Sequence, residues 1–338
     1  MSLLIAEHAG LRIRSTGSYL PGRVVTTDEL AARADAPLTA AQIEKLTGIR
    51  ERRWAAPDQA TSDLAIEAGR TVLDRAGVAN VDRLVVGTSS PDHPIPACAC
   101  FVQRGLGLAP APAFDVAAAC GGFLFGLDLA ARSILTGDER VLVLAADIRS
   151  RLIDPTDRGT FALFGDGAGG LLLERGPVGE GLLAVHLMTD GEGAEAIHVP
   201  AGGSRRPTTA DTAARREHFL KMVDGPRVFL TALEGMSQAA NTLLDAMRLT
   251  FDDIDLVVPH QPNRLILDRL ARYLRIPSAK VFVNVHRTGN MSAASLAVAT
   301  DEALTSSRLR PGANVLLVGG GAGFCAGAAL IRIPGESK

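Results

Sequence analysis

The chain has 338 residues, 47% of them hydrophobic and 21% charged, with 35 basic side chains against 37 acidic ones and a net charge of −2. That balance disfavours intrinsic disorder and wholesale coating of nucleic acid, and at about 150 residues per domain the length fits two domains or one duplicated unit. Four cysteines, Cys98, Cys100, Cys120 and Cys325, with no CxxC pair and no finger-like His spacing, point to a reducing cytoplasm rather than a disulfide framework or a zinc site.

From the N-terminus, the apolar patch within 1–15 has no basic run ahead of it and is interrupted by Glu7, His8 and Arg12, so no signal peptide is expected. An amphipathic stretch, TVLDRAGVA from Thr71, then feeds an apolar run, DRLVVGTSSP at 82–91. AFDVAAAC at 113–120 is a strand entering the helix GGFLFGLDLAARSIL, RVLVLA at 140–145 is another strand, and FGDGAGGLLLE from Phe164 is a glycine turn with a closing strand. Because GDGAGG runs into LLLE and not into a helix, it is expected to be a tight structural turn, not a phosphate cradle.

The same four elements recur in the same order. TLLDAMRLT from Thr242 feeds DIDLVVPHQP at 253–262, FVNVHRTGN at 282–290 enters the helix MSAASLAVATDEAL, NVLLV spans 314–318, and GGAGFCAGAALIRI follows from Gly320. The repeat predicts two similar βα halves, 1–180 and 181–338, with parallel central strands that are near-continuous Val/Leu runs because helices cover both faces. The fold class is therefore α/β, a five-layer αβαβα sandwich. The uncharged stretch 311–331 is long enough to cross a bilayer, but its six glycines and Asn314 favour strand, turn and strand, so no membrane span is expected. Residues 202–221, with Arg205, Arg206, Arg215, Arg216 and Lys221 and little apolar period, are expected to be an exposed loop.

Corresponding points of the halves carry the reactive groups. Cys120 precedes Gly121-Gly122 at a helix start, where unpaired N–H groups and the helix dipole favour a thiolate. His260 ends the strand IDLVV, at the rim where parallel sheets bind ligands. Asn290 sits in the turn TGNMSAAS, ordinary for an asparagine taken alone. The duplicated topology brings these strand ends to one crevice. Cys98, Cys100 and Cys325 lack such a setting and are expected in the core, and Ser89, Ser90 and Glu51 in turns and on the surface. A papain-like hydrolase would also use Cys, His and Asn, but its surrounding pattern is missing.

Six segments, GIRERRWA from Gly48, FDVAAACGGF from Phe114, DPTDRGTFALFGDGAGG from Asp154, VPHQPN from Val258, TGNMSAAS from Thr288 and VGGGAGF from Val318, together resemble the ketoacyl-acyl-carrier-protein synthase III family, which has a thiolase fold. The resemblance implies a homodimeric condensing enzyme. Cys120 would take an acyl group from a primer thioester, usually acyl-CoA. His260 and Asn290 would stabilise the enolate formed when a malonyl thioester on an acyl carrier protein loses CO₂, and backbone N–H groups of Cys120 and Ala322 would hold the oxyanion. No metal or redox cofactor is implied.

The resemblance also assigns CoA and substrate contacts to Arg158, Asn263 and Gly320, and a contact with the partner subunit's acyl pocket to Ile95. The tryptophan that commonly stacks on adenine is replaced by Gln42, and the aromatic of the last glycine loop falls at Gly320, which would open space beside Cys120. Arg264, Arg272 and Arg275 lie within about 80° on a helical wheel and would meet an acidic carrier protein. Two alternatives share the scaffold: an acyltransferase that moves the acyl group to an alcohol, amine or carrier without elongation, and an inactive partner of a heterodimer, against which the intact Cys120, His260 and Asn290 argue.

Overall fold

The strands fall in two runs that repeat one another. They are β1 (Ser2–Ile5), β2 (Leu11–Tyr19), β3 (Arg23–Thr26), β4 (Glu51–Trp54), β5 (Arg83–Gly87), β6 (Ala113–Val116), β7 (Arg140–Ile148), β8 (Asp166–Arg175), β9 (Gly181–Thr189), β10 (Ile197–His198), β11 (Lys221–Met222), β12 (Leu256–Pro259), β13 (Asn314–Gly321) and β14 (Cys325–Arg332). The computed structural model describes residues 2–33 and 35–335; Met1, where the N-terminal patch begins, lies outside them. Strands β6-β5-β7-β8-β2 form one sheet and β12-β13-β14-β9 the other, with β1 added antiparallel to β9. A single residue pair, Leu11 with Gly181, joins the two into one ten-stranded sheet.

The Val/Leu runs form the strands as expected because both of their faces are covered. Helices Thr61–Ala76 and Cys98–Gly105 pack one outer face through Leu64, Val72 and Val102. Helices Gly225–Met247 and Arg264–Tyr273 pack the other through Leu243, Leu244 and Leu270. Between the sheets lie Gly122–Leu135 and Ala293–Leu304, which supply Phe123, Leu127, Leu296 and Ala299 to a core shared by both halves. This is the five-layer αβαβα order.

Three elements depart from expectation. GDGAGG is no turn: from Asp166 it lies within β8, paired to β2 and β7. Its glycines serve close approach, since a Cβ at Gly169 would stand 2.9 Å from the Val298 nitrogen of a central helix, and one at Gly170 would strike the Val143 carbonyl. The run from Phe282 forms no strand. Val281 alone bridges to Val257, and a short helix, Val285–Thr288, follows at once. Residues 202–211 are exposed as expected, but the segment carries the helix Ala210–Ala214 and returns as β11, held by Lys221 and Arg216 on buried Asp154 at 3.1 and 2.8 Å. The stretch 311–331 is β13, a glycine turn and β14, and among the described residues no helix is long and apolar enough to cross a membrane.

Candidate active site

Cys120 lies on a one-turn segment, Ala119–Gly121, which runs directly into the central helix Gly122–Leu135. Ala119 adopts φ +45°, a left-handed conformation that costs a non-glycine residue about 1–3 kcal/mol and aims the next side chain away from the strand axis. The end of β13 presses on this point: a Cβ on Gly321 would be 2.7 Å from the Cys120 nitrogen. Only glycine lets the second half approach the Cys120 backbone so closely.

Burial pushes the Cys120 thiol up from its ordinary pKa, while the Arg149 guanidinium and the Ser292 hydroxyl, 3.6 Å from Sγ, act in the opposite direction. His260 follows β12 with its backbone N–H on the Val318 carbonyl at 2.7 Å. Its ring is 3% exposed, Nδ1 has no hydrogen-bond partner, and burial lowers its pKa to about 4, so it is neutral at physiological pH. Asn290 is tied to the first half, its N–H on Leu163 O at 2.9 Å and its carbonyl accepting from Gly165 N at 3.0 Å. Its Oδ1 accepts from Ser292 N at 2.9 Å, which turns the amide NH₂ toward the cavity as a donor.

These three side chains share a cavity of about 110 Å³ with Ala322 and Arg149. Leu163, Met222 and Asn263 line both this cavity and an outer one of about 370 Å³ that holds Arg158. The two form one path from surface to thiol. A wider cleft of about 510 Å³ lies at the opposite end of the strands, where β7 starts, and is lined by surface charges such as Arg140 and Glu174. Among the described residues no group of three His, Cys, Asp or Glu side chains is placed to hold a metal.

Other expectations fare unevenly. Gly320 lines the cavity, but the opening is filled: a Cβ there would meet Met236 at 3.3 Å, and Phe324 brings an aromatic ring into the wall from the turn after β13. Gln42 is exposed and caps its own helix, Oε1 accepting from Thr39 N at 2.9 Å. Ile95 is 87% exposed and borders neither cavity. Cys98 and Cys325 are buried, and burial raises both thiols, Cys325 to about 11; Cys100 is exposed, contrary to expectation, because it sits on the solvent side of its helix.

The wheel joining the three arginines fails at Arg275, because the helix ends at Tyr273 and Arg275 has φ +56°. Arg264 is paired with Asp268 at 2.8 Å. Its basic neighbours come from other elements: burial, then the charges of Arg287, Arg50 and Arg264, lower the pKa of His286.

Sequence reasoning passed over a buried hub. Asp147 accepts from Ser89 N at 2.9 Å, Ser90 Oγ at 2.8 Å and Ala293 N at 3.0 Å, joining the ends of β5 and β7 to a central helix. Ser89 and Ser90 are therefore part of the site's frame and not free turn residues. Beside them Arg149, its backbone fixed by Asp166 at 2.8 Å, enters the cavity. The trace along the chain is charge at the end of an apolar strand, RVLVLAADIR, which does not say that either side chain faces the cavity.

Two sheets of the same strand order around a pair of central helices define the thiolase-like fold. The matching family models are the C-terminal part of 3-oxoacyl-[acyl-carrier-protein] synthase III over residues 244–333 and the companion model of that synthase over 114–191. A relative from Rhodopirellula baltica, named beta-ketoacyl-[acyl-carrier-protein] synthase III, is 43% identical over 96% of this chain and 98% of its own. The crystal structure of 3-oxoacyl-(acyl carrier protein) synthase III from Pseudomonas aeruginosa superposes with a TM-score of 0.88 at 36% identity, covering 97% of this chain and 100% of that one. A priming beta-ketosynthase from a polyketide biosynthetic pathway gives 0.87 at 33% identity, with both chains fully covered. The chain belongs to the 3-oxoacyl-[acyl-carrier-protein] synthase III family.

Proposed function

We propose that the protein is a ketosynthase III-type condensing enzyme, and the observation that carries this reading is the helix-start thiol of Cys120 in one small cavity with a neutral imidazole and a free amide donor. In the first step the Cys120 sulfur attacks the carbonyl of a primer thioester. His260, the one neutral base lining the cavity, accepts the thiol proton and passes it to the departing CoA thiolate, while the N–H groups of Cys120 and Ala322 stabilise the tetrahedral oxyanion. In the second, a malonyl thioester loses CO₂, and His260 and the Asn290 amide donate to the enolate oxygen. The enolate carbon attacks the acyl-cysteine carbonyl and expels the Cys120 thiolate, giving a 3-oxoacyl thioester.

Both donors suit an enolate, whereas simple acyl transfer to an alcohol or amine has less use for Asn290. Phe324 and Met236 also fill the space that such an acceptor would have occupied. Acyl-CoA and acyl carrier protein are the substrates of this reading, entering past Arg158 and Asn263, with no further cofactor. Carrier docking falls to Arg264 and Arg272 on one helix, joined by Arg50 and Arg287, while Arg275 lies beyond the helix end. A second copy of the chain covers exposed Ile95, and the enzyme works in the cytoplasm, where its four thiols stay reduced. The test is to load Cys120 from acyl-CoA, add malonyl-carrier protein, and follow CO₂ and the 3-oxoacyl product. Loading without CO₂ release would point instead to the non-elongating transferase.

A further inference from the structure

Arg149 is a buried cation in the cavity wall. It is 8% exposed and lines the same space as Cys120, His260 and Asn290, together with the apolar Leu163, Leu220 and Phe324. Its Nη1 donates to Ser89 Oγ at 3.1 Å, its Nε has no partner, and its guanidinium lies 5.6 Å from the Phe164 ring centroid. The nearest acid in its network, Asp147, is occupied by Thr88, Ser89, Ser90 and Ala293 and reaches the guanidinium only through the Ser89 hydroxyl. A guanidinium is costly to bury without a carboxylate, and its planar fork matches one well.

We propose that the acyl groups accepted at Cys120 are short dicarboxylic acid monothioesters whose far carboxylate is held by Arg149. The proposal rests on the reading of Cys120 as the acyl-carrying thiol. Reach supports it: Cys120 Sγ is 3.6 Å from Ser292 Oγ, Ser292 Oγ is 3.4 Å from Ser89 Oγ, and Ser89 accepts from Arg149, so a sulfur-bound chain of a few carbons brings its end to the guanidinium. The carboxylate of the malonyl extender is the poorer candidate. It leaves as neutral CO₂, so an ion pair with Arg149 would be strongest in the ground state and would slow the step. The carboxylate of the primer is retained throughout. In loading, the Cys120 S–C bond forms, the CoA S–C bond breaks, the thiol proton goes to the CoA thiolate and the distal carboxylate keeps its charge.

The experiment compares initial rates of loading from succinyl-CoA and glutaryl-CoA with those from butyryl-CoA and valeryl-CoA, matched in chain length, by intact mass on the wild type, Arg149→Leu and Arg149→Lys. The wild type is expected to load the dicarboxylic pair at least tenfold faster, Arg149→Leu to reverse that order, and Arg149→Lys to keep part of it. A wild-type preference for the neutral pair overturns the proposal. So does an equal slowing of all four in Arg149→Leu, which would make Arg149 a support of the thiol and not a reader of the substrate. Binding of the same four thioesters to Cys120→Ala, with and without Arg149→Leu, separates the two readings. A dicarboxylic preference that disappears with Arg149, without loading of any donor, upholds the carboxylate site and defeats the acyl-carrying role. Equal binding of all four defeats the carboxylate site.

Discussion

The two halves share a strand order, yet the half that carries Cys120 and the half that carries His260 and Asn290 are completed differently. In the first, β6 forms a full edge strand beside β5 and delivers the chain to Cys120. In the second, the matching stretch contributes one bridge at Val281, and Asn290 takes its backbone partners, Leu163 and Gly165, from the first half. Each central helix is nevertheless entered through a non-glycine residue at positive φ, Ala119 at +45° and Ser292 at +54°. Duplication supplies the scaffold, and the local departures from it, each carrying a modest strain, aim the reactive groups into the common cavity.

The comparison is broken most completely at Cys120. Cys120→Ala is expected to abolish covalent acyl loading, read by intact mass, while leaving binding of the thioester in place. Changes in the other half should strike the next step: Asn290→Ala should spare loading, while His260→Ala, which also removes the base, should slow it as well. His260→Ala and Asn290→Ala are each expected to lose about 10²- to 10³-fold in malonyl decarboxylation, measured as CO₂ release from pre-loaded enzyme. Near-normal release in both variants would show that the second half plays no part in enolate formation.

Acid should expose the same asymmetry. His260 has a folded pKa of about 4 against a usual 6.5, so between these values the unfolded chain binds a proton that the folded chain refuses. Stability therefore falls as pH drops through that window and levels off below about pH 4, by roughly 3 kcal/mol from this group. Melting temperatures of the wild type and His260→Gln across pH 4–7 isolate the contribution, which should be absent from the variant. A smaller effect is expected at the seam between halves. Gly321→Ala would set a Cβ 2.7 Å from the Cys120 nitrogen, and overpacking of about 1–3 kcal/mol should slow loading while the folded state survives. Smallest is Gln42→Trp. Its helix lends Leu46 and Thr47 to the outer cavity that holds Arg158, so an aromatic ring there should tighten CoA thioesters by about tenfold, near the low end for base stacking, without changing turnover of carrier-bound substrates.

Much of this was legible along the chain because a parallel strand covered on both faces must be apolar, and a repeat of such runs in fixed order admits few folds. The position of Cys120 was equally legible, since a helix start announces itself through small residues and glycine. Arg149 and Asp147 were not, because nothing in RVLVLAADIR says which side of the strand end faces the cavity. Phe324 was passed over because an aromatic in a turn has no periodicity to place it. The placing of Arg275 on one helix face with Arg264 and Arg272 was wrong because the helical wheel was extended past the helix's own end.

The sequence by itself therefore determined the α/β class, the duplication, and the placing of Cys120 at a helix start, His260 after a strand and Asn290 in a glycine turn, because local periodicity and glycine placement carry that information. Only the tertiary structure decided that GDGAGG is a strand, that Asn290 turns its NH₂ into the cavity, that Arg264 keeps company with Arg50 and Arg287, and that a guanidinium lies beside the thiol. Each of these depends on which backbone comes within van der Waals or hydrogen-bond reach of which other. Such contacts, most of them between residues that are not neighbours along the chain, leave no pattern in a single sequence.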